Sequence, residues 1–236
     1  MFLFDTILPL FARTVMPVFL VATGGFLLAR AFTLDSRTVG RILFYLATPS
    51  LVFRSLYQMQ IDFATLQQLA LVAGSVAIAT GSLGWLASFD QERRRRSAIT
   101  LTSAVSNNGN MGIPICYFAL GEAGLALGSL YYVVNAFLGN TLGVVVASSG
   151  KAPFGKALLQ SLKVPMLYAA FLGLALNQAS VELPVGLFRA VDLLGDAAIP
   201  GMLILLGIQL SGAPIRERQS VIYRSAAIRL LIAPLL

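Results

Sequence analysis

Residues Ser106 to Pro114 read Ser-Asn-Asn-Gly-Asn-Met-Gly-Ile-Pro and interrupt an apolar run, Ala98–Val105 and Ile115–Leu120, that otherwise has the length of a membrane crossing. In hydrocarbon every backbone N–H and C=O needs a partner, so such a break is tolerated only when buried in protein or lining a wet cavity. Asn107, Asn108 and Asn110 supply amide donors and acceptors, and asparagine tolerates the left-handed turn that restarts a chain. Gly109 and Gly112 admit close approaches denied to larger residues. Pro114 suits the first turn of a following half-helix, where no N–H is needed. That half-helix would aim its positive dipole end, about half a charge, at the break, and an anion is the natural ligand there. The plainer reading is a polar kink that eases helix packing. Three asparagines at mid-membrane are costly unless they serve a ligand, which weighs against it.

Other polar residues stand in apolar surroundings. Pro49 and Pro200 occupy matching places in their segments and read as hinges or as kinks. Arg54 lies five residues after the first proline and Asp196 four before the second. If their segments run in opposite directions, both fall toward the outer side, either as a buried pair at a gate or as two side chains snorkelling separately to water. Arg13 reads as an interfacial anchor. Asn135 and Asn140 face either a wet cavity or a neighbouring helix. Cys116 is the sole cysteine and there is no histidine, so neither a disulfide framework nor the usual metal ligands are on hand. No nucleophile triad, nucleophile elbow, metal motif or phosphate loop is present, so the reading is of no enzyme, no cofactor and no bound metal.

The elements that position the break are membrane segments. Of 236 residues 57% are hydrophobic and 11% charged, with a mean hydropathy of +0.81; soluble domains carry about 25% charged residues. Apolar segments of spanning length fall at 7–29, 39–57, 63–89, 97–119, 124–148, 164–179, 190–211 and 221–236. The net charge of +7 sits in alternate connections: Arg30, Arg37 and Arg41; Arg93 to Arg96; Lys151, Lys156 and Lys163; Arg216, Arg218 and Arg224. The others carry Asp62, Glu122 and Glu182. The positive-inside rule then places the basic connections in the cytoplasm and the N-terminus outside. Asp5 near the start and an apolar stretch too long for an h-region argue against a cleaved signal peptide. The basic residues read as topology anchors rather than as a nucleic-acid patch; for Arg93–Arg96 a lipid-binding patch is the lesser alternative. Gly124/Gly128 and Gly139/Gly143 read as helix-packing pairs.

An internal repeat organises the segments. Met16-Pro17-Val18-Phe19-Leu20 with Gly25 matches Val164-Pro165-Met166-Leu167-Tyr168 with Gly173, 148 residues on. Leu46-Ala47-Thr48-Pro49-Ser50-Leu51 matches Ala197-Ala198-Ile199-Pro200-Gly201-Met202, 151 residues on. A unit of five spans is odd, so the second copy enters from the opposite side. The expected organisation is a first five-span repeat over 1–148, a cytoplasmic connection at 149–163, and an incomplete second repeat over 164–236. The partner of the break falls beyond Leu236, so the sequence is expected to be truncated at its C-terminus.

Together the Ser106–Pro114 motif, Leu46–Leu51 with Phe53, and Gly195-Asp196-Ala197-Ala198-Ile199-Pro200 with Leu205-Leu206-Gly207 resemble the auxin efflux carrier family, in its bacterial permease form. The resemblance implies an all-α membrane protein, an inverted repeat of five transmembrane helices with broken crossover helices, as in sodium/proton antiporters. About eight of ten spans would be present, divided into a scaffold and a transport domain. In plant relatives the crossover carries a Pro-Asn pair that contacts a carboxylate. Asn107 matches that asparagine, whereas Ser106 stands in the proline's place. The expected function is a secondary transporter of the bacterial inner membrane, moving small organic anions of the malate or malonate kind by alternating access. Asn107, helped by Asn108 or Asn110 and the helix start after Gly112, would hold the substrate. Partners are that anion, the bilayer and, left open, a second copy. A channel or a non-transporting scaffold or receptor is the alternative.

Overall fold

The computed structural model describes residues 7–59, 63–147, 154–213 and 219–236. Asp5, Asp62, Lys151, Arg216 and Arg218 lie outside the described residues, as does the side chain of Lys156. Among the described residues the protein is all-helical. The helices are α1 (Leu8–Thr14), α2 (Met16–Ala31), α3 (Ser36–Ile42), α4 (Thr48–Tyr57), α5 (Phe63–Leu86), α6 (Arg93–Ala104), α7 (Ile113–Ala147), α8 (Phe154–Ser161), α9 (Pro165–Gln178), α10 (Val185–Asp196), α11 (Ala198–Ser211) and α12 (Gln219–Ala227). Helix α8 occupies part of the expected connection at 149–163.

Proline punctuates these helices in one recurrent way. Three π turns, Leu43–Ala47, Asn108–Gly112 and Ile228–Ile232, each end two residues before a proline: Pro49, Pro114 and Pro234. Proline has no N–H to give the carbonyl four residues back and its ring crowds that carbonyl, so the turn ahead of it widens. Helix α3 begins on a polar cap instead. Thr38 Oγ1 and Arg37 N donate to the Asp35 carboxylate at 2.7 and 3.0 Å, and these bonds, Thr38's foremost, hold that carboxyl below its usual range.

Three helical runs among the described residues are long and apolar enough to cross a membrane: Ala64–Leu86, Arg93–Gly143 and Val185–Ser211. The pair α1 and α2, bent by 44° at Val15, makes a fourth. The 51-residue Arg93–Gly143 run exceeds the ~20 residues of one crossing more than twofold. It is interrupted at Val105–Asn107 and again at Gly121, whose φ of 63° and ψ of −146° leave the helical region. Only glycine enters that region freely. The other expected spans are helical but shorter or broken; α9 has 14 residues.

The chain forms two compact units, each drawing on both halves of the sequence. The first comprises Met1–Ile61, Asn107–Tyr132 and Pro165–Ala213. In it α2 packs on α11 and α4 on α9. Glycines make these approaches: Gly25 faces the backbone of Ile204, Gly207 that of Ala22 and Phe26, and a Cβ on Gly173 would stand 2.8 Å from the Phe53 carbonyl oxygen. Asn177 Nδ2 donates to the carbonyls of Tyr57 and Met59 at 2.6 and 2.9 Å, and Tyr57 Oη to that of Val181 at 2.9 Å. The end of α4 is thereby tied to the end of α9.

The second unit comprises Asp62–Ser106, Val133–Val164 and Pro214–Leu236. Helices α5 and α6 meet through Gly81 against Ala104 and Gly84 against Ser103, and α12 packs on α6. Thr141 and Ser161 share a buried hydroxyl–hydroxyl bond of 2.8 Å that ties α7 to α8. Gly139 packs on Val105, whereas Gly143, expected to be a packing position, has nothing within 4 Å of where a Cβ would stand.

Candidate functional site

The interruption begins where α6 gives out. Val105 N still bonds the Leu101 carbonyl at 2.9 Å, but Val105 itself is extended (φ −114°, ψ 119°) and Asn107 is neither helical nor extended (φ −78°, ψ 63°). The helix restarts sooner than expected. The Asn107 carbonyl accepts from Met111 N at 3.3 Å and Gly112 N at 3.1 Å, and the Asn108 carbonyl from Ile113 N. The positive end of the helix therefore lies at 107–110, not after Gly112, because the π turn ahead of Pro114 extends it backwards. Pro114 is buried inside the helical run rather than exposed in its first turn.

Side chains around the break divide by exposure. Asn107 is exposed, Asn108, Asn110 and Gly112 are half-buried, and Gly109 is buried. Gly109 is covered by Tyr132: a Cβ at 109 would lie 2.8 Å from Cε2, 3.0 Å from Cζ and 3.2 Å from Oη of that ring. Beyond the π turn, Ile113–Leu120 packs on the following segment, where Gly124 faces the Cys116 carbonyl and Gly128 faces Cys116 and Ile113.

One core cluster draws the three interrupted helices of this unit together. Ile113 and Leu125 lie among Leu43, Ala47 and Leu51 from the π turn and α4, and Ala198, Met202 and Leu205 from α11. Tyr117 and Tyr132 pack against it. The segments bearing Pro49, Pro200 and Pro114 thus share one packed centre. Pro49 is the second residue of α4 and half-buried; Pro200 is the third of α11, after Ala197 interrupts α10 and α11, and exposed.

Arg54 and Asp196 are paired. Arg54 Nη1 donates to Asp196 Oδ1 at 2.6 Å and also to Asp192 Oδ1 at 2.7 Å. Its side chain is 12% exposed against 45% and 65% for the two aspartates. Gly195 leaves room for this: a Cβ there would stand 3.4 Å from the Leu51 backbone and 3.6 Å from Arg54 Cζ. Asp192 was missed by sequence reading, although its four-residue spacing from Asp196 puts both on one helix face. Tyr132 was missed as well, since an aromatic residue in an apolar segment carries no distinguishing mark. Arg13 is exposed at the end of α1, as an anchor would be. Asn135 is buried, 2% exposed, and Asn140 exposed. Among the described residues no cluster of three or more acidic, histidine or cysteine side chains fit to hold a metal ion occurs.

A family model described as membrane transport protein matches residues 10–156 and 151–236. An uncharacterized transporter of Methanothermobacter thermautotrophicus is 27% identical over 234 residues, spanning 95% of this chain and 76% of that protein. A putative malonate transporter of Rhizobium meliloti is 25% identical over 235 residues, spanning 94% of this chain and 73% of that protein.

Proposed function

We propose, from the premise that the chain belongs to the membrane transport protein family, that it is a multi-pass carrier moving a small organic anion by alternating access, with the anion held at the Asn107–Gly112 turn that leads into α7. The exposed amide of Asn107 at the positive end of a helix carries this reading. Asn107 offers an amide N–H pair to a carboxylate, Asn108 and Asn110 flank it on the π turn, and the helix dipole favours the negative charge. Gly109 lets the backbone lie against Tyr132, and Gly112 and Pro114 shape the turn. The malonate named for the Rhizobium meliloti relative is the first substrate to offer.

Two inverted five-span repeats are supported by an exchange of partners in the first unit. Gly25 and Gly173 are repeat mates, and so, by the 151-residue offset, are Phe53 and Ile204. Gly25 closes on the backbone of Ile204 and Gly173 on that of Phe53. The same glycine-to-backbone contact is made twice with the copies swapped, as a pseudo-two-fold axis requires. On this reading Pro49 and Pro200 are equivalent points at which α4 and α11 restart, and Arg54 clasps the outer half of α4 to Asp192 and Asp196 in the last turns of α10. The alternate basic connections put the N-terminus outside.

Uptake of radiolabelled malonate into proteoliposomes tests the function. Saturable uptake that Asn107→Ala weakens at least tenfold in kcat/KM is expected, since one charge-assisted hydrogen bond is worth about 1.5–3 kcal/mol. Flux linear in malonate concentration would mean a channel. No flux of malonate, malate or other small carboxylates would refute the carrier reading.

A further inference from the structure

We propose that the face of α5 and α6 in the second unit is a binding site for one anionic phospholipid, its phosphate at Arg96 and an acyl chain in the groove below. The head-group end starts from an unfavourable arrangement of charge. Helix α6 opens with Arg93, Arg94, Arg95 and Arg96, has no acidic residue in its first turn, and its N-cap Glu92 makes no capping bond. Four cations thus crowd the positive end of a helix dipole, where an anion belongs. Asp90 does not neutralise them. Arg224 takes both its carboxylate oxygens, Nη1 to Oδ1 and Nη2 to Oδ2 at 2.6 Å, and Gln91 adds a bond at 2.8 Å.

Arg96 differs from its three exposed neighbours. Its guanidinium carbon lies 4.1 Å from the Phe89 ring centre and 5.1 Å from that of Trp85, a clamp that fixes the plane of the group. Its Nε and Nη2 atoms are buried, with no hydrogen-bond partner among the described residues. A guanidinium edge in such a place is costly unless an acceptor meets it, and the Nε/Nη2 edge matches two oxygens of one phosphate. The two rings that stack on the guanidinium are themselves about half exposed, 55% for Phe89 and 47% for Trp85, so a shift of either ring opens the group to a ligand.

Trp85 also joins the clamp to the groove. Below it, α5, α6 and the end of α7 enclose a cavity of about 400 Å³ whose walls include Ser82, Leu86, Leu101, Leu142 and Val146. It is open along one side and apolar beneath a basic rim, the charge and polarity profile of a phospholipid lying along a transmembrane helix. Phosphatidylcholine shares the tail and the phosphate but adds a choline cation that the four arginines repel, so the head-group end selects by net charge.

Native mass spectrometry of the purified protein in detergent, titrated with phosphatidylglycerol, phosphatidylcholine or inorganic phosphate, tests the site. Phosphatidylglycerol is expected to be retained about tenfold more tightly than phosphatidylcholine, whose choline cation the arginine cluster repels. Arg96→Gln, which removes the phosphate fork, should lower phosphatidylglycerol retention at least fivefold, whereas Arg95→Gln, at an exposed position, should change it less than twofold. Arg96→Lys should fall between, because a lysine keeps the charge without the planar fork. Ser82→Trp, which fills the groove and leaves the arginines untouched, should lower retention of both lipids; it decides the matter alone if Arg96→Gln fails to fold. Equal retention of the two lipids, or equal effects of Arg95→Gln and Arg96→Gln, would overturn the proposal. So would an inert Ser82→Trp, which would mean that protein, not an acyl chain, fills the groove, or inorganic phosphate displacing the lipid at equal concentration.

Discussion

Gly109→Ala should destabilise the protein by about 2 kcal/mol, and only while Tyr132 is present. The new Cβ would stand 2.8, 3.0 and 3.2 Å from three atoms at the tip of the Tyr132 ring. Non-bonded carbons rest about 3.5–4.0 Å apart, so the ring must retreat by roughly 0.7–1.2 Å. It is packed on the Ile113, Leu125 and Met202 cluster, and forcing one extra methyl into such a site costs about 1–3 kcal/mol. The backbone at 109 raises no objection of its own, because among the described glycines only Gly121 has a positive φ. With Tyr132→Ala in the background the clash is gone, and exchanging glycine for alanine in a helical turn should then stabilise by about 0.5–1 kcal/mol. The two substitutions should therefore couple by roughly 2–3 kcal/mol. The assay is a double-mutant cycle of unfolding free energies from reversible denaturant titration in detergent. A coupling below about 0.5 kcal/mol would show that Tyr132 does not wedge the break and would refute the reasoning.

Two further outcomes follow from the charged groups. Arg54→Gln should cost about 2 kcal/mol, less than the roughly 3–5 of a fully buried pair because both aspartates reach solvent; Asp192→Asn or Asp196→Asn alone should cost under about 1 kcal/mol, since the other carboxylate still holds Arg54. Comparable losses for all three in a denaturant titration would mean the cluster does not share one cation. Hydrogen bonds from Arg224 and then Gln91 hold the Asp90 carboxyl well below the ordinary carboxylate range. A carboxyl with a depressed folded-state pKa stabilises above its unfolded value, near 3.9, and loses that stabilisation as pH falls through the folded value. The melting temperature should thus fall as pH drops below about 4, with Asp35 adding in the same direction, and Asp90→Asn should be flatter over that window; an unchanged slope would remove Asp90 from the account.

Much of the candidate site was legible because its signals are local. Asparagine, glycine and proline clustered over 106–114 in an apolar run announce broken backbone pairing in a membrane segment, and the helix is interrupted at Val105–Asn107 accordingly. Its inner geometry was less legible. Placing Pro114 in the first helical turn follows from its missing N–H, but a π turn answers the same deficiency by widening the helix ahead of the ring. The helix start then moves from after Gly112 to Asn107. Arg54 and Asp196 could be placed at similar depth, yet pairing and separate snorkelling were equal alternatives. What decides between them is Gly195, whose missing side chain admits α4 backbone to α10 and brings Asp192 into reach as well.

Helix partners lie further from what sequence order conveys. Neighbouring segments usually pack together, yet α2 packs on α11 and α4 on α9, pairs far apart in the chain. Glycine is the common cause: at Gly25, Gly173 and Gly207 a side chain would strike backbone, not a flexible side chain, so each position specifies one partner surface and excludes looser ones. Such contacts weigh more in a membrane than in water, because apolar side chains gain nothing by leaving lipid for protein and close backbone approach remains the main attraction. On the proposed repeat, Gly25 and Gly173 would need to keep only their reach to the opposite copy's helix, so a pair of short matched segments such as 16–25 and 164–173 is all the identity that contact demands.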